Sequence, residues 1–409
     1  MRIHLCRSLG HMGLALVGLT APANAAPPLD LSRAAVVVRS GPLTEVERTA
    51  ATVLVEEVEK RTGFRLGVFT GFRTTGPSIV VSTLEGAPRH EGVTLPPLRP
   101  EGYLLRVDSG GSHPTVWIIG ADPRGVLYGV GAFLRRMDWA KGRLALEADL
   151  SIATAPASPI RGHQLGYRST ANSWDAWTVA QFDQYIRELA LFGVNSIENI
   201  PFQDARNNPL MKVPRREMNR AISGICRRYG IDYWAWTPAD IDLTDAAKRS
   251  ALLAMFDELF EDSVELTGVF VPGGDPGHNP PDLVMPLLED IAKRMAPKHP
   301  KAKVWLSLQG FDSKKEEAVY NYVEQKLPPW LGGLVAGPSS PPIARTRHRL
   351  PARYRLRLYP DLTHNKICQY QVPNWDQAYA LTLGREAVNP RPAEYALIHN
   401  RYAASSDGF

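Results

Sequence analysis

Hydrophobic and polar positions follow two different periods along this chain. Between residues 29 and 150, short apolar runs such as "AAVVVRS", "SIVVS", "GYLLRV" and "TVWIIG" predict strands. The stretch "TEVERTAATVLVEEVEKRTG" repeats every three to four residues instead. Val46, Ala50, Val53, Leu54 and Val58 fall on one helical face, and Gly63 supplies a stop. A second helix is predicted through "RGVLYGVGAFLRRM". Its Gly125, Gly129 and Gly131 lack the spacing of a dinucleotide-binding loop, so they predict close packing of helix on sheet. Residues 29–150 are therefore expected to form a small α/β domain.

"SIATAPASP" (Ser151 to Pro159) reads as a small-residue connector. From residue 160 the pattern becomes strict alternation of strand and helix. "IRGHQLGYR" precedes the helix "TVAQFDQYIRELALFG", which opens on a Thr178–Gln181 capping box. Then come "NSIENI", "DYWAWTP", "GVFVPGG", "KVWLSLQGF", "GGLVAG" and "YRLRLYPD", each separated by a helical pattern. Seven such repeats predict parallel strands with crossover helices. Polar and aromatic residues gather at the strand ends, which favours a (β/α)8 TIM-type barrel over a doubly wound sheet. "DGF" arrives where an eighth strand is due, so residues 160–409 are expected to form a barrel truncated at its C-terminus. In "YRLRLYPD" the alternation of Tyr354, Leu356 and Leu358 predicts outward-facing arginines.

Residues 1–25 have the layout of a secretory signal. Arg2 and Arg7 precede an apolar run from Met12 to Leu19, and "ANA" stands before Ala26. The expected location is secreted or periplasmic, with no stable membrane insertion, because the apolar run is too short to span a bilayer. Removing it leaves about 380 residues, enough for two domains. The net charge of +5 is modest and the basic residues are scattered, which gives no reason to expect a nucleic-acid partner. Cys226 and Cys368 remain after export; two cysteines make no disulfide framework, and Cys226 lies on a helical pattern. Nothing in the pattern sets an oligomeric state.

The strand ends carry the candidate chemistry. Arg161, His163, Gln164 and Tyr167 belong to the first barrel strand, Glu198 to the second and Trp236 to the third. Asp275 and His278 follow the fourth, Gln309 the fifth, and Asp361 and His364 the seventh. Acids and amides hold sugar hydroxyls while flat aromatic side chains cover the ring. Glycosidic cleavage needs two carboxyl groups, which makes Asp275 the first candidate, with Glu198 or Asp361 as its partner. The other residues would line the sugar subsite. Each has a plainer alternative: Asp275 as a turn cap, Trp236 as core, Glu198 as a buried acid paired with Arg161 or Arg168. No second histidine stands at ligand spacing from His278, so no metal and no cofactor are expected.

The motifs "VEEVEKRTG", "EGYLLRV" and "IIGADPRGVLYGVGAFLRRM" resemble the N-terminal domain of bacterial β-hexosaminidases and that of α-glucuronidases. In those families this domain precedes a catalytic barrel whose first strand often begins Arg-Gly, as "IRGHQL" does here. The resemblance implies a glycoside hydrolase acting on the terminal sugar of an oligo- or polysaccharide. It aligns Asp275 with the aspartate of the hexosaminidase Asp-Glu pair, while Pro276 stands at the position of the glutamate. "GGLVAGPSS" lacks the acid that α-glucuronidases carry after strand six. These departures leave a non-catalytic carbohydrate-binding protein on a degenerate barrel as the alternative. If the signal is read correctly, N-terminal sequencing of the exported protein will begin at Ala26; a cellular protein that retains Met1 is the contrary result.

Overall fold

The computed structural model describes residues 27–73, 75–88, 95–110, 113–165, 177–201, 213–274, 277–337, 339–360 and 392–409. β1 (Leu29–Asp30) pairs antiparallel with β8 (Arg143–Leu146), which also pairs with β7 (Asp138–Ala140). Six further strands form the main N-terminal sheet: β2 (Ala35–Val38), β3 (Gly67–Phe69), β4 (Ser78–Thr83), β5 (Tyr103–Asp108), β6 (Thr115–Gly120) and β9 (Ser151–Thr154). Their order is β3-β2-β4-β6-β5-β9. The stretch expected to be a connector thus begins with a strand: Ile152 stands opposite Leu105, and β9 adds antiparallel to β5. Its residues are mostly exposed, which is why no hydrophobic alternation announces it.

Helices α1 (Glu45–Thr62) and α2 (Pro123–Arg136) belong to this domain. Thr44 and Glu47 cap α1 reciprocally, and Gly63 ends it at φ 82, a left-handed backbone that favours glycine. The α2 glycines serve packing, as expected. A Cβ on Gly129 would lie 2.8 Å from Ile118 of β6. A Cβ on Gly131 would lie 2.0 Å from the carbonyl oxygen of Leu191, outside this domain.

The second part alternates as predicted. Strands β10 (Gly162–Gln164), β11 (Ser196–Asn199), β12 (Asp232–Trp236), β13 (Gly268–Pro272), β14 (Lys303–Ser307), β15 (Leu331–Ala336) and β16 (Arg355–Leu358) are all parallel, each beside the next. Between them run α3 (Val179–Leu191), α4 (Arg215–Arg228), α5 (Ala246–Asp262), α6 (Pro281–Met295), α7 (Ser313–Lys326) and α8 (Ile343–Arg349). The last helix, α9 (Pro392–Tyr402), precedes the end of the sequence. Cys226 is buried in α4 as a free thiol, and Cys368 lies outside the described residues.

The two sheet edges meet through the last three residues. Ile160 N donates to Asp407 O at 2.9 Å and Gly162 N to Phe409 O at 2.8 Å. On the other side, Leu358 N donates to Gly408 O and Asp407 N to Leu356 O, both at 2.8 Å. Gly408 bridges Ile160 and Arg357 in the parallel sense. "DGF" therefore occupies the eighth strand position and joins β16 to β10. A barrel has no free edge once such a partner is present.

The N-terminal domain is bolted to the end of the barrel where the strands begin. Glu101 accepts from Arg124 at 2.8 Å and from Arg161 at 2.5 Å. Arg124 also reaches Asp232, the first residue of β12, at 2.5 Å. Arg161, just before β10, donates further to Gly193 O and Ser158 O. Burial opposes ionisation of Glu101, yet the two guanidinium groups outweigh it and hold this carboxyl below the usual range. Arg187 of α3 adds contacts to Glu56 and Glu57 of α1.

Gly131→Ala tests this joint against Gly224→Ala, whose added Cβ would stand 3.6 Å from Val264 inside α4. The first is expected to destabilise by about 1–3 kcal/mol through overpacking. The second is expected to stabilise by up to about 1 kcal/mol through helix propensity. Equal melting temperatures for the two variants would contradict the geometry.

Candidate functional site

A closed barrel buries both faces of every strand, and this decides where each candidate points. Ile197, Tyr233, Val269, Val304, Leu334 and Leu356 belong to the large core that also contains helix residues. Their neighbours in sequence face the axis. Ile160, Trp234, Trp236, Phe270, Trp305 and Val335 form a separate cluster, with Tyr359 packed against it. The same alternation turns Glu198 and Arg357 inward. Of the two arginines in "RLRL", Arg355 is exposed as expected, whereas Arg357 is opposite to its expected orientation: Leu356 and Leu358 cover the helix side, so Arg357 enters the barrel.

Glu198 and Arg357 meet across the interior. Glu198 is 4% exposed and Arg357 6%. Arg357 Nη2 donates to Glu198 Oε2, and Gln164 Nε2 donates to Glu198 Oε1 at 2.7 Å. The Arg357 guanidinium also stands 4.4 Å from the Trp234 ring centre and 5.4 Å from that of Phe270. Trp305 lies against Trp234, with ring centres 4.6 Å apart. Glu198 is thus the buried paired acid of the plainer reading, with Arg357 as its partner in place of Arg161 or Arg168. Both of its oxygens are engaged, which suits a fixed anchor better than a proton shuttle.

Other candidates divide. Gln164 and Trp236 face the interior, and Gln309 lies just past β14 at the mouth. Arg161 does not belong there: it sits before β10, and its guanidinium is committed to Glu101 at the opposite end of the barrel. His163 also departs from expectation. It alternates with Gln164, so it faces α3, where Nε2 meets the Tyr185 hydroxyl at 2.9 Å. Burial there pushes the imidazole down to about 4. Asp312 caps α7 by accepting from Lys314 N and Lys315 N. Tyr167, Asp275, Asp361 and His364 lie outside the described residues. Among the described residues no three His, Cys, Asp or Glu side chains gather to hold a metal. No described helix is long and apolar enough to cross a membrane.

The frame on either side of residues 275–276 is closely specified. Gly273 N donates to Ser307 O at 3.1 Å and Gly274 N to Gln309 O at 3.0 Å. A Cβ on Gly273 would stand 2.4 Å from Ser307 O, so only glycine allows this approach. Beyond the pair, exposed His278 takes a left-handed backbone at φ 54. Buried Asn279 donates to Ala239 O and Ile241 O and accepts from Leu243 N, tying the loop to the one after β12. The sequence contained this anchor, but a lone asparagine after a histidine carries no signal of its own.

Residues 30–133 match the sequence family described as "Glycosyl hydrolase family 67 N-terminus". The N-terminal domain resembles that of family 67 glycosyl hydrolases. A curated relative, α-glucuronidase A of Emericella nidulans, is 32% identical over 131 residues, covering 31% of this chain. The match spans only 14% of that relative's length. Among solved structures, a mutant Streptomyces plicatus β-hexosaminidase in complex with product (GlcNAc) aligns at 13% identity and TM-score 0.57. That alignment covers 82% of this chain and 72% of the other. The family 20 β-N-acetylhexosaminidase of Streptomyces coelicolor A3(2) gives 14% identity and TM-score 0.57, over 84% and 75%. At such identities the structural likeness speaks for the fold, and it includes the N-terminal domain together with the barrel.

The His163 environment makes a pH prediction. Its folded pKa lies below the ordinary 6.5, so the stability held in the neutral imidazole is complete above pH 6.5 and is lost as pH falls towards 4. The loss is at most about 3 kcal/mol. Melting curves from pH 7 to 4 should be flatter for His163→Gln than for the parent protein; parallel curves would exclude this role.

Proposed function

We propose that this protein is a glycoside hydrolase that removes a terminal sugar from a glycan or polysaccharide, with its active site at the C-terminal mouth of the barrel. One observation carries this reading. The axis of a TIM-type barrel is ordinarily filled by layers of bulky branched residues. This one instead carries an ion pair, an amide and three tryptophans: Glu198, Arg357, Gln164, Trp234, Trp236 and Trp305. Such a set suits sugar recognition, and the likenesses to glycosidases support the same class.

Asp275 is the proposed central carboxylate, on the evidence of the frame that precedes and follows it. Positioning a carboxyl before substrate arrives lowers the entropic part of the barrier. Asp361 is the proposed second carboxylate, because Glu198 is already held by Gln164 and Arg357. The separation of the two carboxyl groups decides the stereochemistry: about 5 Å for retention and roughly 6.5–9.5 Å for inversion. We further propose export through the signal at residues 1–25. The same engagement of Glu198, with Pro276 beside Asp275, favours a second reading as a carbohydrate-binding protein without turnover.

A panel of aryl glycosides separates the two, since binding without hydrolysis selects the second. If hydrolysis is found, Asp275→Asn is expected to lower turnover by at least about a hundredfold with an unchanged melting temperature. Turnover at the parent rate would move the catalytic assignment to another acid.

A further inference from the structure

Helix α6 begins without a side-chain cap: Pro280 holds the N-cap position, and the amide of Asn279 beside it is spent elsewhere. Asn279 is buried. Its Nδ2 donates to Ala239 O at 3.1 Å and to Ile241 O at 2.8 Å, while its Oδ1 accepts from Leu243 N at 3.1 Å. Both amide hydrogens and the carbonyl oxygen thus serve main-chain atoms of the loop after β12. Ala239 and Leu243 belong to the large core, so the amide grips a fixed object. Gly277 approaches the same loop. A Cβ there would stand 2.0 Å from Ala239 O, and its φ of 110 favours glycine. On the other side, Gly273 and Gly274 donate to Ser307 O and Gln309 O of the loop after β14. A Cβ on either glycine would stand 2.8 Å from the Phe311 ring. His278 N donates back to Gly274 O at 3.1 Å, which brings the two ends of residues 274–278 together.

We propose that Asn279 is a positioning residue: it locks the loops after β12 and β13 into one frame, and that frame holds the acid-bearing residues 274–278 in place. The proposal rests on the reading of Asp275 as the working carboxylate and names the side chain that fixes its loop. A local role as a helix cap does not fit, because the three partners of the amide lie 36 to 40 residues earlier in the chain. The chemistry of the contact calls for this residue type. Two carbonyl oxygens and one N–H of the loop after β12 face a single side chain, and asparagine offers two hydrogens and an acceptor at that length. Serine offers one hydrogen, and an ionised aspartate none. Without the amide these main-chain groups would lose their partners in buried or half-buried surroundings. A carboxylate on a loop fixed beforehand does not spend substrate binding on being ordered.

Steady-state kinetics on an aryl glycoside that the parent cleaves, together with backbone hydrogen exchange of the whole protein, test the idea. Asn279→Ala should lower kcat roughly ten- to a hundredfold, the upper value being that for a reacting group displaced by about 1 Å, with KM little changed. In the same variant the amides of residues 239–243 and of residues 274–279 should both exchange faster, while those of α6 beyond its first turn keep the parent rate. Asn279→Asp is nearly isosteric and carries the test if the alanine variant does not fold. Ionised, it sets a carboxylate against two carbonyl oxygens; protonated, it again donates one hydrogen and accepts from Leu243 N. Its turnover relative to the parent should therefore rise as pH falls from about 7 to about 5. Parent kcat in the folded alanine variant, faster exchange confined to residues 239–243, or an aspartate variant whose relative turnover ignores pH would overturn the proposal. A residue that only stabilises the fold would lower the melting temperature and leave kcat of the folded enzyme alone. Failure of the glycosidase reading looks different: the parent cleaves no aryl glycoside, and exchange in the two segments still shows whether Asn279 couples them.

Discussion

Every interior contact in this barrel depends on the closure of the sheet. Seven parallel strands leave β10 and β16 as edges, and unpaired backbone at an edge is both costly and open to wrong partners. Asp407 to Phe409 satisfy the two edges together, giving and taking backbone hydrogen bonds on each side. Asp407 adds a side-chain contact, its carboxylate accepting from Leu356 N at 2.8 Å. Closure brings strand two and strand seven to opposite sides of one interior. Only then can Glu198 and Arg357, 159 residues apart in sequence, share a hydrogen bond.

That pair shows how a barrel reconciles charge with burial. An isolated ion in the interior would be prohibitive, and a bare pair often gains little. Here Gln164 takes the second carboxylate oxygen, and two aromatic faces cover the guanidinium. This arrangement is assembled from five strands, so no local segment contains it. The N-terminal domain, in contrast, grips the barrel with a separate group of charges around Glu101, at the far end of the strands. Attachment therefore uses the end of the sheet opposite the mouth, where the active site is proposed.

The alternation of strands and helices was legible because each helix has one apolar face and each strand a short apolar run. Caps were equally legible: Thr178 with Gln181 and Gly63 act as their residue types suggest. The side-chain directions were harder. In a sheet with one wet face, a polar residue between leucines points to water; in a closed barrel it points to the axis, as Arg357 does. Arg161 misled for a related reason. Its place in a strand-like stretch said nothing about which end of the strand it occupied, and the charge it answers, Glu101, belongs to another domain. His163 and Gln164 are adjacent, yet strand period two sends one to a helix and the other to the interior.

The direction of the eighth strand position has a practical side. Gly408 runs parallel to both of its neighbours, so the chain leaves Phe409 heading towards the mouth. Whatever follows Phe409, a purification tag included, would begin its course beside the mouth, where the active site is proposed.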